Sequence, residues 1–132
     1  MVAAFWGDHP GHEASLKVFA GADQNTGVCG AHSLAEVYAV MTSLPVRPSL
    51  APDQVILFIE QIPARLKVIA LDDGEYLGVL RELAGRGVSG GRTYDGLLLA
   101  CARKSKAETI YTWNKRHFER LAPDLAERIR TP

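Results

Sequence analysis

An α/β layered fold is the class this 132-residue chain predicts, on three observations. Helix-like and strand-like patterns alternate along its whole length. No long linker or internal repeat interrupts them. The composition, 47% hydrophobic and 23% charged, supplies enough apolar surface for a single core, so residues 1–132 read as one domain.

The elements follow in order. A doubly wound sheet opens with a buried strand, and only residues 1–5 are available for one. A strand of about five to six residues plus its turn barely fits there. The first strand is therefore expected to be truncated, with the chain beginning inside it. Asp8 or His9 can cap a helix whose first turn holds Pro10 and which runs to about Ala20, with Leu16, Phe19 and Ala20 facing inward. Residues 26–30 form a short buried strand. Ser33 opens a second helix with Leu34, Val37, Tyr38 and Met41 on one stripe, ending near Pro45. Pro52 begins a third helix, through about Gln61. Residues 66–71 read as a strand buried on both faces. Asp73 caps a fourth helix to about Ala84, and a loop from Gly85 to Arg92 contains four glycines. A fifth helix runs from Asp95 to about Lys104. Residues 109–112 form a strand, residues 115–118 a short helix, and residues 127–131 a last strand.

Several classes are excluded. The longest apolar run, residues 96–102, is far below the ~20 residues that span a bilayer, and no signal-peptide pattern opens the chain, so a cytoplasmic protein is expected. Cys29 and Cys101 lack metal-like spacing and read as reduced, buried thiols. The net charge is zero but uneven. Residues 1–80 carry four bases against nine acids, and residues 81–132 carry eleven against six. A basic half attracts nucleic acid and an acidic half a basic partner segment; scattered surface charge explains the same counts.

The chemistry-bearing residues each have a plain alternative. Asp95 lies between the glycine loop and an apolar helix, where a carboxylate also serves as a cap or first-turn charge. Asn114 follows a strand and can cap the helix after it. Glu36 fits a capping box with Ser33, yet it is the only Asp, Glu, Lys or Arg between Gln24 and Val46. Their value is joint: polar residues at the C-terminal ends of parallel strands collect in one crevice, where a carboxylate and an amide can hold a hard cation. Asp72-Asp73-Gly74-Glu75 is a rival acidic cluster, better explained as a helix cap. His9 and His12 lack a third zinc ligand nearby. The glycine loop is not followed by the Gly-Lys-Ser/Thr of a phosphate cradle.

Three segments together carry a family resemblance: residues 3–12, residues 33–38 (Ser-Leu-Ala-Glu-Val-Tyr), and residues 94–97 (Tyr-Asp-Gly-Leu) through 112–118 (Thr-Trp-Asn-Lys-Arg-His-Phe). The chain resembles the PIN-domain nucleases, in particular VapC-type toxin ribonucleases of toxin–antitoxin pairs. The resemblance implies a PIN-like three-layer fold, a mostly parallel central sheet flanked by helices. It further implies Mg²⁺- or Mn²⁺-dependent endonuclease activity on RNA, a cognate VapB-type antitoxin that binds and inhibits the protein, and a homodimer. By position, Glu36 matches the family's second acid, Asp95 its third, and Asn114 a fourth acidic or amide residue. The family's first aspartate should precede Val2 by a few residues, and the chain has none there: either an upstream start supplies it, or the protein is a degenerate member with a crippled metal site. Arg92, Lys115 and Arg116 are candidates for gripping RNA phosphates at the rim, or are ordinary surface charge. The expected function is thus a metal-dependent ribonuclease. The alternatives are a PIN-like RNA- or antitoxin-binding module without catalysis and, more remotely, a phosphoacceptor domain built on Asp72 and Asp73.

Overall fold

The computed structural model of the chain describes residues 1–46 and 49–132. These fall into two compact units, Met1–Val68 and Ile69–Pro132.

In the first unit, residues 1–5 are not a strand. Val2–Phe5 forms a helical turn, α1, because Ala3 and Ala4 are strong helix formers and both are buried. So short a helix does not stand alone. It is held by packing: the Phe5 ring meets Phe19 edge-on at 5.2 Å and Phe58 at 5.8 Å. Helix α2 spans His12–Gly21 with Gly11 as its N-cap, later than a cap at Asp8 or His9 would place it. The reason is local. His9 Nδ1 accepts the Gly11 amide at 2.9 Å and so shapes the turn before the helix, while the His12 ring contacts the Ala3 carbonyl at 3.0 Å. Both histidines are thus engaged in chain geometry. Phe19 packs on the core as expected, whereas Leu16 and Ala20 are exposed.

Strand β1 is Val28–Gly30 and pairs with β2, Lys67–Ile69. Helix α3, His32–Thr42, buries Val37 and Met41 one turn apart, and α4, Pro52–Arg65, buries Val55 and Ile62 two turns apart. With Leu66 these side chains form the unit's core. Each contributes roughly 1.5–3 kcal/mol of apolar burial. Tyr38, expected on the buried stripe, is exposed. Helix α4 continues past Gln61 through Pro63, because a proline in the final turn forfeits one hydrogen bond rather than a run of them.

In the second unit, α5 spans Asp73–Gly85, and its cap is Asp72, not Asp73. Asp72 Oδ1 accepts the Glu75 amide at 2.8 Å, and Glu75 Oε2 accepts the Asp72 amide at 2.8 Å. Such a reciprocal cap contributes about 1 kcal/mol. Lys104 Nζ adds a 2.6 Å contact to Glu75 Oε2 and donates to the Ala70 carbonyl at 2.9 Å. The acidic cluster is therefore a helix cap with a lysine clasp, which removes the basis for the phosphoacceptor reading. Gly90 then turns the chain at φ +65°, a conformation glycine adopts without strain, into α6, Arg92–Lys104. A Cβ on Gly96 would lie 2.7 Å from Leu83 Cδ1, so a side chain at position 96 would have to displace the buried Leu83 methyls between α5 and α6. Strand β3, Ile110–Tyr111, pairs in parallel with β4, Ile129–Arg130, in the register Ile110 to Ile129 and Tyr111 to Arg130. Helix α7, Lys115–Leu121, and a 3₁₀ turn, Pro123–Arg128, connect them. Leu83, Leu99, Phe118, Leu121, Ala122, Leu125 and Ile129 make the core of this unit. Alternating helices and parallel strand pairing give the α/β class the sequence predicts. Cys29 and Cys101 are free thiols, Cys101 buried and Cys29 partly so.

Candidate functional site

The start of α6 sets the first functional group. The helix begins at Arg92 rather than Asp95, so Asp95 is not the cap but lies in the first turn, its side chain 19% exposed. The second group is set by the end of β3. Thr112 Oγ1 accepts the Asn114 amide at 3.0 Å, and the Asn114 carbonyl accepts the amides of His117 and Phe118 at 3.0 and 3.2 Å. Asn114 therefore holds the N-cap position of α7, yet its side chain makes no capping hydrogen bond. That amide points elsewhere. Asn114 Nδ2 lies 3.4 Å from Asp95 Oδ2 and 3.0 Å from His117 Nδ1, and His117 Nδ1 lies 3.3 Å from Asp95 Oδ2. Phe118, buried in the core, pins the helix that carries both Asn114 and His117.

Proton bookkeeping constrains this triangle. If His117 Nδ1 accepts from the Asn114 amide, it presents a lone pair to Asp95; if it donates to Asp95, it meets an amide N–H. Turning the Asn114 amide by 180° resolves the conflict, with Nδ1–H donating to both neighbours. Asn114 Oδ1 then takes the place beside Asp95 Oδ2, and two oxygens stand side by side. A proton on Asp95 or a hard cation between them relieves that pair. Burial holds the Asp95 carboxyl above the usual carboxylate range, and the hydrogen bond and charge of His117 pull it partly back. Replacing His117 by alanine is accordingly expected to move the Asp95 titration to still higher pH. Carboxyl ¹³C NMR of the metal-free protein reads this, and an unchanged or lowered midpoint would contradict the contact.

His117 was not among the residues singled out by sequence. A lone histidine in a basic turn carries no ligand-type spacing, although its i, i+3 relation to Asn114 places both on one helix face. Glu36 belongs to the other unit and lies on the exposed side of α3. The capping box with Ser33 is not formed: the N-cap of α3 is Ala31, two residues before Ser33, and it makes no side-chain capping bond. The Glu36 carboxylate acts instead on the Met1 amine, whose pKa burial lowers and Glu36 raises. Arg92 and Arg116 are exposed, and Lys115 Nζ lies 3.6 Å from Glu119 Oε1. An open cavity of about 480 Å³ adjoins Asn114, lined also by Trp113, Lys115, Arg116 and Glu119.

Among the described residues, no three His, Cys, Asp or Glu side chains form a group that could hold a metal ion. The Asp95–Asn114 pair, one carboxylate and one amide oxygen, nevertheless matches the all-oxygen preference of Mg²⁺, a cation that keeps several of its waters.

This chain belongs to the PIN-domain family, whose model matches residues 1–123. Within that family it is similar to the VapC-type proteins. It is 35% identical over 111 residues to Ribonuclease VapC40 of Mycobacterium tuberculosis, covering 83% of this chain and 78% of the relative. It is 36% identical over 101 residues to Ribonuclease VapC27 of the same organism, covering 76% and 69%. No described helix is long and apolar enough to cross a membrane.

Proposed function

We propose that the protein is a metal-dependent endoribonuclease toxin of the VapC type, acting as one PIN-like domain in the cytoplasm. Its activity is held in check by a VapB-type antitoxin, and it forms a homodimer. The observation that carries the reading is the contact of Asp95, Asn114 and His117, which gathers groups from α6 and the β3–α7 junction. Asp95 and Asn114 are the residues that would hold Mg²⁺ or Mn²⁺; Glu36 matches the family's second metal-binding acid by its position in the sequence. When bound, the cation neutralises charge on the scissile phosphate and makes a water molecule more acidic.

The chain's own groups do the rest. Asp95 supplies a desolvated negative charge, strengthened by its partial burial. His117 holds an Nδ1 proton toward Asp95 Oδ2 and so fixes the orientation of that carboxylate. Asn114 offers its amide oxygen on the same side. Arg92, Lys115 and Arg116 bind RNA phosphates at the rim, orienting the chain for hydrolysis. The similarity to two proteins named ribonucleases supports the reaction class.

A second reading has an observation of its own: the Asp95–Asn114–His117 triangle contains one carboxylate, where the family resemblance implies further acids at the metal. In that reading the chain binds RNA or antitoxin without cutting RNA. Incubating total RNA with the protein in Mg²⁺, in Mn²⁺ and in EDTA separates the two. Discrete fragments with metal and none with EDTA are expected. RNA retained but left whole would favour the binding module, and neither binding nor cleavage would overturn both.

A further inference from the structure

Both groups of the Asp95–Asn114 pair are preceded in the chain by an exposed aromatic, Tyr94 and Trp113, 53% and 48% exposed. The cavity next to Asn114 is bounded by one of them. Its volume, about 480 Å³, falls within the range of small-molecule sites and suits a single nucleotide. Its lining combines a flat indole, two cations, an amide and one carboxylate, Glu119. The indole and the cations match what single-stranded nucleic acid needs, a stacking platform beside a phosphate-binding rim.

Glu119 does not fit that pattern in the same way. A carboxylate is acceptor-only and repels a phosphate backbone, so within an RNA-binding cavity it needs a donor from the base. The four bases differ sharply in what they offer. Guanine presents N1–H and the N2 amino group side by side, a two-donor edge that matches two carboxylate oxygens. Adenine and cytosine each place one amino group next to a bare acceptor nitrogen. Uracil flanks its single N–H with two carbonyls. The present partner of Glu119 is Lys115, at 3.6 Å in an exposed i, i+4 pair, which holds the carboxylate loosely.

We propose that this cavity is a guanine subsite, resting on the ribonuclease reading above. A single-stranded guanine stacks on Trp113 and donates N1–H and N2–H to Glu119, while Arg116 takes its phosphate. The neighbouring linkage is thereby brought to Asp95 and Asn114, and the protein selects RNA at guanine.

The test is binding in EDTA, where metal-dependent cleavage is suppressed, of fluorescently labelled heptanucleotides UUUNUUU with N as guanosine, inosine, adenosine, cytidine or uridine. Guanosine should bind roughly five- to a hundredfold tighter than adenosine, cytidine or uridine, as a bidentate base contact does. Inosine, which lacks the N2 amino group, should fall between. Glu119→Ala should erase that ranking even if freeing Lys115 raises overall affinity, because the readout is a ratio between bases. Trp113→Ala should weaken all five oligonucleotides. Equal affinity for every base in the parent protein, or a guanine preference that survives Glu119→Ala, would overturn the subsite and leave RNA binding standing. Failure of every oligonucleotide to bind would overturn the RNA reading with it.

Discussion

Asp95→Asn is expected to lower metal-dependent RNA cleavage by roughly 10²–10³-fold or more, the scale on which preorganised electrostatic groups act. The same substitution should make the metal-free protein more stable at neutral pH. The two effects share one cause. Burial raises the Asp95 pKa, so the folded chain holds that proton more tightly than the unfolded chain does. The stability linked to that proton is fully present below the unfolded carboxylate value and is lost as pH rises through the folded value. Above the folded value the ionised carboxylate therefore opposes folding, and an isosteric neutral amide does not. Thermal unfolding of both proteins in EDTA reads the difference, which should shrink as the pH is lowered toward the carboxylate range. Mg²⁺ should stabilise the parent by mass action and the amide variant much less. A variant that still cuts RNA with metal would remove Asp95 from the site, and one less stable than the parent at pH 7 would remove the desolvation argument.

Phe118→Ala is expected to cost about 3–5 kcal/mol, the range for emptying a buried aromatic position. Phe118 is 4% exposed and packs with Leu83, Leu99, Leu121 and Ile129. A domain of this size has only about 5–15 kcal/mol to lose. Urea unfolding followed by circular dichroism measures the loss. Because Phe118 is the neighbour of His117 in the chain, whatever protein remains folded should also cleave RNA poorly, through misplacement of Asn114 and His117. Phe118→Leu, which keeps most of the apolar volume, should restore much of both. A loss below about 1 kcal/mol would mean that α7 is anchored by something other than this core.

The sequence made the helices legible because their apolar spacing survives even where their ends shift. Helix α6 was expected from Asp95 and begins at Arg92, since Gly90 supplies the turn ahead of the first apolar positions. Residues 1–5 misled for a physical reason. Their role was inferred from what a sheet usually needs, whereas Ala3 and Ala4 carry a helical preference that packing against α2 then realises. The pairing of Asp95 with Asn114 followed from a rule about where polar residues at strand ends gather. That of His117 did not, because its role depends on a ring nitrogen's direction and not on spacing. The capping box at Ser33 and Glu36 failed by two residues of helix register, because the N-cap is Ala31, and such a shift alters every cap position.

The zero-length side chain at position 96 has a consequence for how this protein can vary. Gly96 directly follows Asp95 and is filled from outside by the Leu83 methyls. Positions 83 and 96 therefore share one volume, and bulk added at one has to be removed at the other. A methyl gained at 96 with Leu83 retained would force either the Leu83 methyls or the first turns of α6 to move, and a moving α6 carries the carboxylate with it. Two residues that never meet a substrate thus act together as a spacer that sets how deep the reactive group sits.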